Sequence, residues 1–233
     1  MNADQIIERI YGEDIYAQFD GSGLEQDLQG WGGLQFLIKT IERLRPQLII
    51  EVGVWKGRSA LAMADRLKEL NLSSPVVCVD TFLGSEEHFR ERFRPDMNRK
   101  AGWPQLYEQF MFNVLDCKHQ DVIVPIPASS LAAAQILQGI GVQADLIHID
   151  AGHGYLEVRS DIQAFWPLLT EDGVMVFDDY GRWKGVTKAV NELAAEKELP
   201  LIGTHGKAIL SPSMNVRFTT NLDKIAKGSW TPK

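Results

Sequence analysis

The chain has 233 residues, 45% hydrophobic and 24% charged, with a formal net charge of -7. This composition excludes disordered and collagen-like chains, no apolar run approaches the roughly 20 residues that span a bilayer, and the acidic balance opposes the basic face that nucleic acid requires. Two cysteines are too few for a disulfide framework, and the N-terminus lacks a basic segment followed by an apolar one, so the expected setting is the cytoplasm. The expected partner is a small molecule, with no nucleic acid and no membrane.

Residues 1–44 read as a helical extension, with helical stretches around Ala3 to Ile10 and Leu34 to Leu44 parted by the glycine-rich segment Gly21 to Gly33. Helices outside the core fold are compatible with a homodimer. From 45 to 233 one domain is expected, because short apolar β-rich runs alternate with amphipathic stretches, the pattern of βαβ units. Strands are expected at Gln47 to Val52, Pro75 to Asp80, Asp121 to Pro125, Ala144 to Asp150 and Gly173 to Asp178. Most lack polar alternation, as strands covered by helices on both faces do. Ser59 to Leu70, Ser129 to Leu137, Tyr155 to Leu169 and Trp183 to Glu196 have helical spacing. Leu199 to Thr204 and Lys207 to Leu210, separated by His205 and Gly206, read as a tight hairpin. The fold class is therefore α/β: a doubly wound, Rossmann-like, mainly parallel sheet of about seven strands, with an antiparallel C-terminal strand and extra N-terminal helices. Residues 84–104 form a lid-like insertion after the second strand. Its tract His88 to Lys100 carries Arg90, Arg92, Arg94, Arg99 and Lys100 among acids, which reads as a solvated face or as a lid over an anionic substrate.

The run Glu51-Val-Gly53-Val54-Trp55-Lys-Gly57-Arg-Ser59 follows a strand and opens a helix, where doubly wound folds bind nucleotides. Gly53 permits a sharp turn close to a ligand, and Gly57 lets the helix start near the strand. The spacing G-x-x-x-G lacks the extra glycine of the dinucleotide fingerprint, and no P-loop follows. Asp80 ends the second strand 27 residues after Gly53, placed to accept hydrogen bonds from both ribose hydroxyls of an adenosine ligand.

Glu-Val-Gly-x-x-x-Gly-Arg-Ser with a following strand ending Val-Asp resembles the first two motifs of class I S-adenosylmethionine-dependent methyltransferases, in the branch of catechol and macrolide-sugar O-methyltransferases. That resemblance implies Glu51 and Gly53 at the methionine end of S-adenosylmethionine and Asp80 on its ribose, with Val54, Trp55, Gly57, Ser59 and Thr81 beside them. It also implies Phe82 and Ser129 near the adenine. Ser129 serves equally well as the N-cap of its helix.

Asp150, Asp178 and Asp179 all emerge at the C-terminal ends of neighbouring strands. Carboxylates crowded in one crevice need a cation or a proton among them, and an all-oxygen set suits Mg²⁺ or another hard divalent ion. His153, three residues after Asp150, faces the same cleft as a general base. The aspartates resemble the metal site of those O-methyltransferases, and Asp150-x-x-His153 resembles the macrolide-sugar branch; Asp150 would then serve metal, cofactor and catalysis together. His148, inside an apolar strand, reads as a core residue. The expected activity is metal-assisted methylation of a hydroxyl on a sugar diol or phenolic compound. The alternatives are a nicotinamide-dinucleotide oxidoreductase and a non-catalytic binding module on the same fold.

Overall fold

Runs of valine and isoleucine set the sheet, since β-branched side chains pack well on a pleated surface. The computed structural model describes residues 1–204 and 206–213; His205 and the segment 214–233, which include part of the expected hairpin and of the 45–233 domain, lie outside the described residues. The strands are Ile49–Val52 (β1), Val76–Asp80 (β2), Ile123–Pro127 (β3), Ala144–Ile149 (β4), Leu169–Tyr180 (β5), Ile202–Thr204 (β6) and Gly206–Leu210 (β7). They assemble in the order β3-β2-β1-β4-β5-β7-β6. Neighbours among β1 to β5 are parallel, and β7 runs antiparallel to both β5 and β6. The doubly wound sheet with an antiparallel C-terminal strand is thus present as expected.

Seven α-helices flank it: Ala3–Tyr11 (α1), Gln35–Leu44 (α2), Arg58–Glu69 (α3), Leu106–Asp116 (α4), Ser130–Gly139 (α5), Tyr155–Phe165 (α6) and Lys184–Glu196 (α7), counted among the described residues. α2 packs on α3, while α5, α6 and α7 pack in series. The strand residues Ile49, Ile50, Val76, Val77, Leu146 and Ile147 are fully buried, as helices on both faces require. None of the described helices is long and apolar enough to cross a membrane.

Two elements depart from the expected pattern. The helix α4 follows the insertion, where none was expected. The stretch beginning at Tyr155 leaves the α-helix at Phe165, because Pro167 cannot continue it, and β5 starts at Leu169 rather than Gly173.

At the N-terminus, Asn2 and Gln5 form a reciprocal capping box and Gly12 closes α1 in the left-handed conformation. The segment then reaches the sheet edge: Tyr11 Oη donates to the Pro125 carbonyl at 2.7 Å and Tyr16 Oη to the Ile123 carbonyl at 3.0 Å. Ile6, Leu37 and Ile41 are buried in the same core as the strands. The insertion after β2 is a series of three short 3-10 turns anchored by the fully buried Met97. Strand order reverses between β1 and β4, and the crevice outside their C-terminal ends is the ligand position in open α/β sheets.

Candidate active site

A cavity of about 360 Å³ opens at that reversal point. Gly53 turns the chain there with φ 87°, and a β-carbon at this position would lie 2.1 Å from the Asp150 carbonyl oxygen. The glycine is therefore needed for contact with the end of β4 as well as for approach to a ligand. Asp80 braces the same turn: one carboxylate oxygen accepts from the Val54 and Trp55 amides at 2.8 and 2.9 Å, the other from the Phe82 amide at 2.8 Å. A carboxylate oxygen has more than one acceptor position, so Asp80, on the cavity wall, retains capacity for a ligand hydroxyl. Trp55 is held at φ 54°, and its buried indole Nε1 has no hydrogen-bond partner among the described residues.

The glycine-rich N-terminal segment straps the mouth of this cavity. Arg58 Nη1 donates to the Gly30 and Gly32 carbonyls at 3.1 and 3.2 Å, and Lys56 Nζ donates to Asp27 at 2.5 Å. Trp31 thereby reaches within 5.8 Å of Trp55, centroid to centroid. His88 stacks on Trp55 at 4.2 Å and accepts from the Ser85 amide through Nδ1, so it is a buried wall residue, in contrast to the exposed Arg90, Arg92 and Arg94 that follow it. Burial lowers its pKa, against the pull of nearby acids including Glu87 and Asp80.

On the other wall lie the acids. Asp150, after β4, carries a carboxyl pushed well above its ordinary pKa, chiefly by burial and then by the charge of Asp178. Burial works the same way on Asp178, but Lys207 and His148 outweigh it and keep its pKa low. Asp178 on β5 faces Lys207 on β7 in register, and the Lys207 ammonium donates to its carboxylate. His148 Nδ1 lies 2.9 Å from Glu51 Oε1, both fully buried, while Nε2 faces Asp178 at 3.9 Å without a hydrogen-bond partner among the described residues.

Asp179 is separated from this group by a register shift against β7 between Asp178 and Tyr180, and it has φ 56°. Such a bulge re-aims a side chain. Its carboxylate meets His153 Nε2 at 3.0 Å and Arg182 at 3.6 Å. Burial disfavours the charged imidazole of His153, yet the hydrogen bond to Asp179 and the charges of Glu87 and Asp179 prevail and raise its pKa. Its ring stacks on Trp183 at 4.5 Å. Gly185 makes room for the same loop, since a β-carbon there would sit 2.3 Å from the His153 carbonyl oxygen.

Of the residues expected to bind cofactor, Gly53, Val54, Trp55, Ser59, Asp80, Thr81 and Asp150 line the cavity. Four others are placed differently. Glu51 is behind the wall, paired with His148. Gly57 packs against the Phe110 ring. Phe82 is buried against Tyr107 and Phe110 as part of the core. Ser129 caps α5 by accepting from the Ala132 amide at 3.4 Å, and its neighbours Ala128 and Ser130 line the cavity instead.

The expected metal site also differs. Asp150, Asp178 and His148 each bring a donor atom within 4.8 Å of the others, but Asp179 is engaged elsewhere. Histidine in place of the third carboxylate makes a mixed nitrogen and oxygen set, less suited to Mg²⁺ than an all-oxygen one and open to a transition ion such as Mn²⁺. Lys207 already neutralises Asp178. These residues do not fit the three-aspartate Mg²⁺ site. Lys207 and the strap residue Trp31 were missed in the sequence; the cue was the strand pairing that sets lysine opposite Asp178, and the arginine after Gly57 that binds the glycine-rich segment.

Residues 50–180 match a family profile described as a methyltransferase domain. The chain belongs to this family. The resemblance to class I S-adenosylmethionine-dependent methyltransferases therefore holds, and the oxidoreductase alternative is set aside. Solved structures share the fold of this methyltransferase. They include the O-methyltransferase NovP (16% identity, TM-score 0.58, covering 91% of this chain and 98% of that one). A second is an O-methyltransferase from Bacillus cereus in complex with SAH (16% identity, TM-score 0.57, 89% and 91%). A third is CalS11, a calicheamicin methyltransferase (20% identity, TM-score 0.55, 76% and 79%). A curated relative, the uncharacterized protein y4gI of Sinorhizobium fredii, is 26% identical over 139 residues, which are 60% of this chain and only 14% of the length of that relative.

Proposed function

We propose that this methyltransferase moves the methyl group of S-adenosylmethionine to a hydroxyl of a small ring compound, a sugar or a phenol. The observation that carries the reading is the His153–Asp179 pair at 3.0 Å, facing across one cavity the Gly53 turn and Asp80. The O-methyltransferase names of NovP and of the Bacillus cereus protein support oxygen as the acceptor. The aromatic wall of Trp31, Trp55 and His88 suits a flat ring.

S-adenosylmethionine supplies an electrophilic methyl group when bound. Asp80 holds the ribose hydroxyls, and the Gly53 turn brings the backbone close to the ligand. Asp179 accepts the Nε2–H of His153, which fixes the tautomer, and Nδ1 takes the proton of the acceptor hydroxyl beside Glu87 Oε2, 3.5 Å away, whose charge stabilises the imidazolium so formed. The strap and the insertion narrow the cavity mouth, so the acceptor is oriented for in-line attack, where proximity contributes most.

Calorimetric titration with S-adenosylmethionine and with NAD, followed by transfer of isotopically labelled methyl to a panel of sugars and phenols, tests this reading. Binding of S-adenosylmethionine alone, with label recovered as an ether, is expected. Label recovered on nitrogen or carbon would refute the O-methyl assignment, and absence of S-adenosylmethionine binding would point to a non-catalytic module.

A further inference from the structure

We infer that the methyltransferase carries its own cation at the acceptor site: the Lys207 ammonium, seated on Asp178, holds the acceptor oxygen where the sequence resemblance implied a divalent ion. This inference rests on the methyl-transfer reading.

Strand register puts the lysine there. Asp178 and Lys207 are opposed residues of the antiparallel pair β5 and β7, and opposed side chains on a sheet lie close enough to interact directly. Lys207 is only 6% exposed and lines the cavity. A buried ammonium needs a carboxylate partner, and Asp178 provides it. The surrounding donors are those a metal would use: Asp150, Asp178 and His148, whose Nε2 has no hydrogen-bond partner among the described residues, each bring one donor atom within 4.8 Å of the others. A divalent ion entering this group meets a positive charge already bonded to one of its ligands. The bulge that turns Asp179 toward His153 removes the carboxylate that would have compensated.

An ammonium has three N–H donors. One is on Asp178, which leaves donors for the acceptor oxygen. As the oxygen–carbon bond forms and the sulfur–carbon bond breaks to a neutral thioether, the hydroxyl proton goes to His153 Nδ1 and Lys207 keeps its own. A lysine needs one oxygen to hold, whereas a chelated metal takes two, so an isolated hydroxyl suffices and a vicinal diol is not required.

The test is Mn²⁺ titration of the full chain by electron paramagnetic resonance and calorimetry, without cofactor, on wild type, Lys207→Arg and Lys207→Met. Wild type and Lys207→Arg are expected to show no stoichiometric binding up to about 1 mM, and Lys207→Met to bind one Mn²⁺ at least roughly tenfold more tightly once the local positive charge is gone. Asp150→Asn added to Lys207→Met should abolish that gain. One Mn²⁺ bound per wild-type chain at low micromolar concentration would overturn the inference, as would methyl transfer lost to a chelator and restored by Mg²⁺. A Lys207→Met protein with a native circular dichroism spectrum that still ignores Mn²⁺ overturns it too. If that variant does not fold, the wild-type titration and chelator experiment decide the matter. S-adenosylmethionine binding, titrated on the same wild-type sample, reports separately on the methyl-transfer reading.

Discussion

Asp161 on α6 is 5% exposed, and its pKa is raised from 3.8 to about 6 by burial, with the neighbouring Glu157 charge adding and a hydrogen bond from Ser130 opposing. An acid whose folded pKa exceeds its unfolded one contributes no penalty while both states are protonated, below pH 3.8. The penalty grows as pH rises and is complete once pH passes the folded value. The difference corresponds to about 3 kcal/mol at pH 8 and about 1 kcal/mol at pH 4.5. Asp161→Asn keeps an acceptor for Ser130 and removes the buried charge, so it should stabilise the fold by those amounts, growing with pH. Urea unfolding of both proteins at pH 4.5, 6 and 8, with equal dependence on denaturant, measures the difference. A gain that does not change with pH, or a loss of stability at pH 8, would refute the assignment of a strained carboxylate at this position.

His153→Gln should lower kcat by roughly 10² to 10⁴ fold, the ordinary contribution of a general base, while S-adenosylmethionine affinity measured by calorimetry stays unchanged. Because the His153 pKa lies above its usual 6.5 and the imidazole must be neutral to accept a proton, the rate should climb with pH through that raised value. Asp179→Asn should move the limb toward lower pH in a steady-state pH profile. Gly53→Ala, which places a carbon 2.1 Å from the Asp150 carbonyl oxygen, should destabilise the chain by roughly 2 kcal/mol or more and abolish cofactor binding in a titration. Tyr16→Phe leaves the Ile123 carbonyl without its donor and should cost about 1 kcal/mol in thermal unfolding.

The sheet was legible because its signal is local: each of β1 to β5 is an apolar run that both faces bury, and the Gly53 turn and Asp80 sit at fixed offsets from strand ends. The α4 helix was not, since Phe110, Met111, Asn113 and Val114 are all buried and its sequence shows no polar face to set the period. The acids were correctly brought to one edge, yet their partners depended on pairing across the sheet. Nothing local to Asp178 names Lys207, and adjacent Asp178 and Asp179 part company because successive strand residues point to opposite faces and β5 also bulges against β7. His148 read as core and is fully buried, but its Nε2 faces Asp178 at 3.9 Å, a fact that needs the direction of a side chain. Phe82 and Ser129 were carried over from a resemblance and were placed by packing and capping instead.

The two tyrosines at the start of the chain have a consequence outside catalysis. An edge strand can recruit a strand from another molecule, but the outward positions of β3 are Ile123, Pro125 and Pro127; the prolines have no N–H and the Ile123 amide donates to the His119 carbonyl at 2.9 Å, so this edge presents carbonyls alone. At the opposite edge, β6 is only three residues long, too short to seed such growth. At the β3 edge the hydroxyls of Tyr11 and Tyr16 occupy the carbonyls with side-chain donors. The N-terminal segment thus completes what the prolines begin, and a chain trimmed of its first 16 residues would be expected to bare these two carbonyls while keeping every residue that lines the cavity, the first of which is Gln29.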